Sequence, residues 1–215
     1  MDLGISEAAR ILEVSESTIS RWIEDGLPAF MINGRYRFNR VDLLEWATRR
    51  KIPAAALYQA PQGQDALYRL EALLEGNIHY GVPGGDKKAV MTAVADLLPL
   101  AKPGDKALAA QALWNREVKG STVIDGIAIP HTRSPLIFGS ARPIATICFL
   151  KDKVFFDPGD KAPVRIVCTL VTPSIRAHLA ILARVASTLH DKEFRALLDR
   201  AAPEEELLAR LKALP

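Results

Sequence analysis

The sequence predicts an α/β sandwich, with helices laid against a mixed sheet, preceded by a small, mainly helical module. Three observations carry this. From residue 65 onward, helical periods alternate with short apolar runs, as when helices cover a sheet. The first 50 residues hold closely spaced short helices, one hairpin signal and enough aromatic residues to fill a small core. Between them, 51–64 contains Pro53, Pro61 and Gly63 and has no sustained period, so it reads as a joint. The expected organisation is a module over 1–50, a joint over 51–64 and an α/β domain over 65–215.

In the module, Ser6 precedes a helix over Glu7 to Leu12, with Ala8, Ala9, Ile11 and Leu12 apolar. Only Glu13-Val14 separates it from a second helix, which Ser15 opens and which runs from Glu16 to Glu24, so the chain must turn sharply. The second helix places Ile19, Trp22 and Ile23 three and four residues apart on an inward face and turns Glu16, Ser17, Ser20 and Arg21 elsewhere. That is a helix-turn-helix arrangement. Ala29 to Ile32 and Arg35 to Phe38 flank Asn33-Gly34, a dipeptide suited to a two-residue hairpin turn. Arg35 and Arg37 alternate with Tyr36 and Phe38 and so share a face. A last helix covers about Val41 to Arg49, with Leu43, Leu44 and Trp46 turned inward. Trp22 and Trp46 read as core residues, because a module of this size has little else large to bury.

In the larger unit, Leu67, Leu70 and Leu74 mark a helix ending at Gly76, and a strand follows around Ile78-His79-Tyr80. Helices are expected over about Asp86 to Leu98 and Asp105 to Arg116. Strands are expected near Ile127, over Ile144 to Leu150 and over Arg165 to Val171, with helices from Ile175 onward. His79 and His190 read as structural. The most informative segment is Gly126-Ile127-Ala128-Ile129-Pro130-His131, with Arg133 just beyond. A strand anchors one side of this histidine and a proline fixes the backbone before it, so its ring can be held rigidly. Such a ring suits a nucleophile that accepts and returns a group.

Composition narrows the chemistry. The 215 residues are 49% hydrophobic, ample for a sizeable core, and the net charge of +3 does not demand a polyanionic partner. The two cysteines, Cys148 and Cys168, lie inside apolar strands without metal-ligand spacing, which points to a reducing compartment. The first residues lack the pattern of a signal peptide and no apolar run reaches the roughly 18 residues of a membrane span, so a cytoplasmic location without membrane insertion is expected. There is no Walker A sequence and no glycine-rich dinucleotide fingerprint, so nucleotide chemistry is not indicated. Residues 1–51 hold eight basic and eight acidic side chains. Affinity for DNA rests largely on neutralised phosphates, so a neutral module should bind DNA weakly alone and need a second copy or a protein partner.

Two resemblances sharpen this reading. Ile5-Ser6-Glu7-Ala8-Ala9, Val14 to Ile19, Gly26-Leu27-Pro28-Ala29, Arg35 to Phe38 and Asp42-Leu43-Leu44-Glu45-Trp46 resemble the winged helix-turn-helix modules of the excisionase and MerR type. The resemblance implies that the Glu16 to Glu24 helix enters a major groove of double-stranded DNA, where Ser17, Ser20 and Arg21 reach phosphates or base edges. Wing residues Arg35 and Arg37 would touch the backbone or minor groove, with Arg40 assisting. Leu113-Trp114-Asn115-Arg116-Glu117, Gly120-Ser121-Thr122, Gly126 to His131 and Ala177 to Arg184 look like the IIA domains of the bacterial phosphotransferase system, of the fructose and mannitol type that includes the nitrogen-regulatory proteins. That family implies a three-layer α/β sandwich with a mixed sheet. It also implies that His131 takes a phosphoryl group, on Nε2, from the phosphohistidine of a small carrier protein, with no metal and no cofactor. His178 would lie beside it and Arg116 would help bind phosphate. Relative to common members, the loop between Ser121-Thr122 and Gly126-Ile127 is one residue shorter, and Thr132 replaces a frequent glycine.

The residues support the same roles. A neutral imidazole is nucleophilic at cell pH and its phosphoramidate passes onward readily. Transfer between histidines needs positioning and positive charge, which Arg116 supplies, and hydroxyl donors, which Ser121 and Thr122 supply. The plainer alternatives are a hydrogen-bonded core histidine at 178 and, at 116, a cation at a helix C-terminus. The leading expectation is a DNA-binding regulator that reports phosphotransferase status through His131, with target regulatory proteins and a homodimer as further partners. A phosphocarrier feeding a sugar-specific IIB domain and a non-catalytic interaction sensor are the alternatives.

Overall fold

A computed structural model describes residues 3–50, 52, 68–132, 138, 142–157 and 162–214. The joint expected over 51–64 lies outside the described residues except for Ile52, and so does Arg133. The module consists of α1 (Ile5–Ile11), α2 (Glu16–Glu24), a hairpin of β1 (Phe30–Ile32) and β2 (Arg35–Arg37), and α3 (Arg40–Arg49). Helix α1 starts before Ser6, because the Glu7 carboxylate reaches back to accept from the Gly4 N–H at 2.9 Å. Ser15 caps α2 by accepting from the Thr18 N–H, and Asn39 caps α3 by accepting from the Val41 N–H at 2.8 Å. Asn33 and Gly34 have φ of 49° and 72°, the left-handed pair that a tight hairpin requires. Trp22 and Trp46 meet at 5.1 Å between ring centroids, and Arg50 covers the Trp46 ring.

The larger unit runs α4 (Leu70–Leu74), β3 (Ile78–Val82), α5 (Lys87–Asp96), α6 (Pro103–Glu117), β4 (Val123–Ile124), β5 (Ile127–Ala128), β6 (Ile144–Val154), β7 (Val164–Val171), α7 (Ile175–His190), α8 (Lys192–Asp199) and α9 (Glu204–Ala213). Its five-stranded sheet has the order β3-β6-β7-β5-β4. The β3–β6 and β5–β7 pairs are parallel and the β6–β7 and β4–β5 pairs antiparallel, so the sheet is mixed as expected. Alternation along the strands builds a layer on each face. Ile147, Phe149, Ile166, Cys168 and Leu170 pack with Leu74, Leu182, Leu198 and Leu207 of α4, α7, α8 and α9. Cys148 and Val167 pack with Val90, Met91 and Leu113 of α5 and α6. The two cysteines are thus free, buried and on opposite faces, and burial pushes both thiols up to about 12.

Two features bear on the site. The segment expected as a single strand near Ile127 is a β4–β5 hairpin turning at Asp125 and Gly126, with φ of 48° and 78°. The loop between Ser121-Thr122 and Ile127 is therefore closed by a two-residue turn. The module is also not separate from the sandwich: α3 packs against α7, and Ile19, Phe38, Leu43 and Leu44 belong to the same apolar core as Ile129 and Ile181. Among the described residues, no helix is long and apolar enough to cross a membrane.

A Cβ at Gly126 would stand 3.0 Å from the Pro163 carbonyl oxygen at positive φ, whereas one at Gly34, also at positive φ, would meet nothing within 4 Å. Gly126→Ala should therefore destabilise the protein by about 1–3 kcal/mol and Gly34→Ala by less. Urea unfolding midpoints of the two variants check this order.

Candidate functional site

The end of β5 places the histidine. Ile129 donates its N–H to the Thr122 carbonyl at 2.8 Å, and Leu170 of β7 donates to the Pro130 carbonyl at 3.0 Å, so backbone bonds from both sides fix the segment up to His131. His131 forms a parallel bridge with Leu170. Its Nδ1 lies 2.7 Å from the Ile129 carbonyl oxygen. A carbonyl oxygen only accepts, so Nδ1 carries the proton and donates, and Nε2 is the nitrogen turned toward chemistry.

Helix α7 brings the second histidine. Ser174 caps α7 by accepting from the Ala177 N–H at 3.1 Å. His178 follows one turn in, with its ring 5.1 Å from that of His131 between centroids and its planes tilted by 38°. Both of its ring nitrogens are buried without hydrogen-bond partners. Burial first, and the neighbouring His131 next, push its pKa from the usual 6.5 down to about 3, against the pull of Glu45. His178 is thus a neutral ring at cell pH.

Arg116, in the last turn of α6, is buried, and its Nη1 donates to the Gly120 carbonyl at 2.6 Å. That bond ties it to the loop that follows the helix, while its Nη2 points into the site. Ser121 and Thr122 follow it, both buried. The Ser121 N–H donates to Asp157 at 3.1 Å, and Lys87 ties Asp157 to the Glu117 carbonyl. Lys87 and the Ser121 contacts hold the Asp157 carboxyl below its usual range despite partial burial, whereas burial pushes Glu117 up. The Thr122 and Thr132 hydroxyls are buried without hydrogen-bond partners.

His131, His178 and Arg116 thus converge, and a residue that sequence reasoning passes over stands between them. Glu45 of α3 is 1% exposed and His131 0%. One Glu45 oxygen lies 2.9 Å from His131 Nε2, and the other accepts from Arg116 Nη2. A carboxylate accepts only, and Nδ1 already donates, so this contact requires a proton between Nε2 and Glu45. The nucleophilic lone pair is engaged. A signal for Glu45 existed: Val41, Leu43, Leu44, Trp46 and Ala47 exceed one helical stripe, so α3 is buried on more than one side and an acid within it needs partners. The donor atoms of Glu45, His131 and His178 lie within 4.8 Å of one another, close enough for a metal ion. The Arg116 guanidinium on Glu45 already supplies positive charge there and would oppose a cation.

The residues expected to meet DNA lie elsewhere. Ser17, Ser20 and Arg21 are exposed on α2, Arg35 is exposed on the wing, and Arg37 is half-buried beside it. Ser17 and Ser20 are engaged locally, with Ser15 and with the Glu16 carbonyl.

A mixed sheet between helical layers, with two histidines and an arginine at the end of a short strand, defines a phosphotransferase IIA-type domain carrying an additional helix-turn-helix module. The chain belongs to the family described as "Phosphoenolpyruvate-dependent sugar phosphotransferase system, EIIA 2", whose model matches residues 71–213, and a helix-turn-helix domain model matches residues 3–51. It is 37% identical over 147 residues to a nitrogen regulatory protein of Pseudomonas aeruginosa, covering 66% of this chain and 93% of the relative. The nitrogen regulatory protein IIA-Ntr of Neisseria meningitidis superposes with a TM-score of 0.56 at 26% identity, over 66% of this chain and 98% of that one. The IIA mannitol structure of Escherichia coli, at 19% identity and a TM-score of 0.52, covers 64% of this chain and 96% of its own and shares the fold.

Because His178 resists protonation, its ring signals should not titrate between pH 8 and 5. A pKa lowered on folding gives stability present above about 6.5 and lost as pH falls toward 3. A His178 titration near 6.5 in two-dimensional NMR would contradict the buried neutral ring.

Proposed function

We propose that this chain is a cytoplasmic DNA-binding transcription regulator whose IIA-type domain, over 65–215, is phosphorylated on His131 by a histidine-containing phosphocarrier protein. The observation that carries this reading is the tautomer of His131. With Nδ1 tied to the Ile129 carbonyl, Nε2 alone is left to react, and Arg116 and His178 stand beside it. In the transfer, the donor's N–P bond breaks as the Nε2–P bond forms, and the donor imidazole leaves with the electron pair. Nδ1 keeps its proton, so the Ile129 bond survives the reaction. Arg116 meets the equatorial oxygens, and His178, neutral, donates a hydrogen bond to one of them. Ser121 and Thr122 supply the remaining support through hydroxyl donors.

The module over 1–50 reads DNA. Support comes from its match to a helix-turn-helix domain model and from the exposed Ser17, Ser20 and Arg21 on α2, with Arg35 and Arg37 on the wing. Its neutral charge implies weak binding by one copy, so two copies or a regulatory partner act together at a site. Regulation, rather than sugar transport, fits the likeness to nitrogen regulatory proteins.

Incubation with phosphoenolpyruvate, enzyme I and the carrier should add one phosphoryl group, absent from His131→Ala, as read by intact mass. Carrier that stays phosphorylated beside unlabelled protein would contradict the reading. Duplexes selected from a random pool by the full chain should bind Arg35→Ala and Arg37→Ala with a salt slope reduced by about one for each phosphate no longer neutralised. An unchanged slope removes the wing from the interface.

A further inference from the structure

The buried position of His131 leaves the proposed reaction no way in, and the group that blocks it belongs to the other unit. Glu45 places one oxygen against His131 Nε2 and the other against Arg116 Nη2. Those two atoms are the nucleophile and the cation that a phosphoryl group on His131 would need. We infer that Glu45 is a built-in ligand of the phosphate site, so that docking of the winged module on the IIA-type domain and phosphorylation of His131 exclude each other. The inference rests on the reading of His131 as the phosphoryl acceptor.

Three arguments converge. The first is steric: a phosphorus bonded to Nε2 would stand inside the 2.9 Å now separating Nε2 from the Glu45 oxygen, and a ring that is 0% exposed cannot meet a carrier protein. The second is electronic. The proton shared between Nε2 and the Glu45 carboxyl occupies the Nε2 lone pair in the docked arrangement, so none is available for attack, and undocking frees it. The third is electrostatic: a phosphoryl group carries nearly two negative charges, and a buried carboxylate facing it would lose its partners and meet a like charge.

The contact is positioned by structure rather than by long, mobile side chains. Glu45 sits mid-helix in α3, whose Leu43 and Leu44 share a core with Ile181 and Leu182 of α7, and Arg116 is held by the Gly120 carbonyl. His178, buried with both nitrogens unpartnered, marks the remaining room at this site as polar. Because linkage is reciprocal, whatever factor docking takes from phosphorylation, phosphorylation takes from docking. The closed chain leaves Ser17, Ser20 and Arg21 exposed, so the device sets whether the module is held on the IIA-type domain, not whether its outer helix is covered.

The test reads access to His131 without needing phosphorylation. Diethylpyrocarbonate is applied to the full chain and the modified histidines are followed by peptide mass, with exposed His190 as the internal standard. In the wild type, His131 should react at least about tenfold more slowly than His190. Glu45→Lys, which sets a cation against Arg116, and the milder Glu45→Ala should raise its rate by about tenfold or more, with circular dichroism checking that the helices persist. The same variants, given phosphoenolpyruvate, enzyme I and the carrier, should be phosphorylated faster than wild type by a similar factor. Wild-type His131 that reacts as fast as His190, or variants that change neither rate, would overturn the closure. If diethylpyrocarbonate discriminates as expected and no chain accepts phosphate, the closure stands and the phosphoacceptor reading fails.

Discussion

A single carboxylate organises this molecule. Glu45 is buried, and a buried carboxylate is tolerated only when paired and hydrogen-bonded. Among the described residues, its partners Arg116 and His131 come from two different parts of the α/β domain, the C-terminal turn of α6 and the end of β5. Removing one member of such a group leaves an uncompensated charge, which costs about 3–5 kcal/mol. The site and the packing of the module on the domain are thus one structural problem. The apolar contacts of α3 with α7 supply area, and the acid supplies register.

The domain is built so that these partners need not move. The β4–β5 hairpin turns at two residues of positive φ, and the bonds from Thr122 and Pro130 carry the strand pattern as far as His131. Behind it, Lys87 and Asp157 hold the backbone at Ser121, so the segment between Arg116 and the hairpin is anchored at both ends. Rigid placement of a nucleophile and a cation favours transfer of a charged group when the donor can reach them. The same rigidity makes the site a good receptor for an acid of the chain itself.

Much of this is legible in the residues, and the limits have physical causes. Periodicity locates the helices and strands, Asn33-Gly34 locates the wing turn, and the histidine after Pro130 points to the site because few arrangements hold a ring so firmly. Helix α1 begins earlier than its pattern suggests, since the Glu7 carboxylate rather than the Ser6 hydroxyl provides the cap. The β4 strand escapes notice because two residues carry too little pattern to register. Glu45 escapes for a different reason. An acid on a helix is ordinarily solvated, and only a partner far along the chain makes its burial tolerable. Arg116 and His131 lie 71 and 86 residues away, a pairing that local pattern does not contain.

Hydrogen exchange on the full chain, before and after phosphorylation of His131, addresses the coupling of site and module most directly. If the acid and the phosphoryl group compete for one place, amides of α3 and of the facing turns of α7 should lose protection on phosphorylation, while β6 and β7 keep theirs. Equal protection of α3 in the phosphorylated and unphosphorylated chains would show that the module stays docked with the phosphoryl group in place, and would contradict the exclusion.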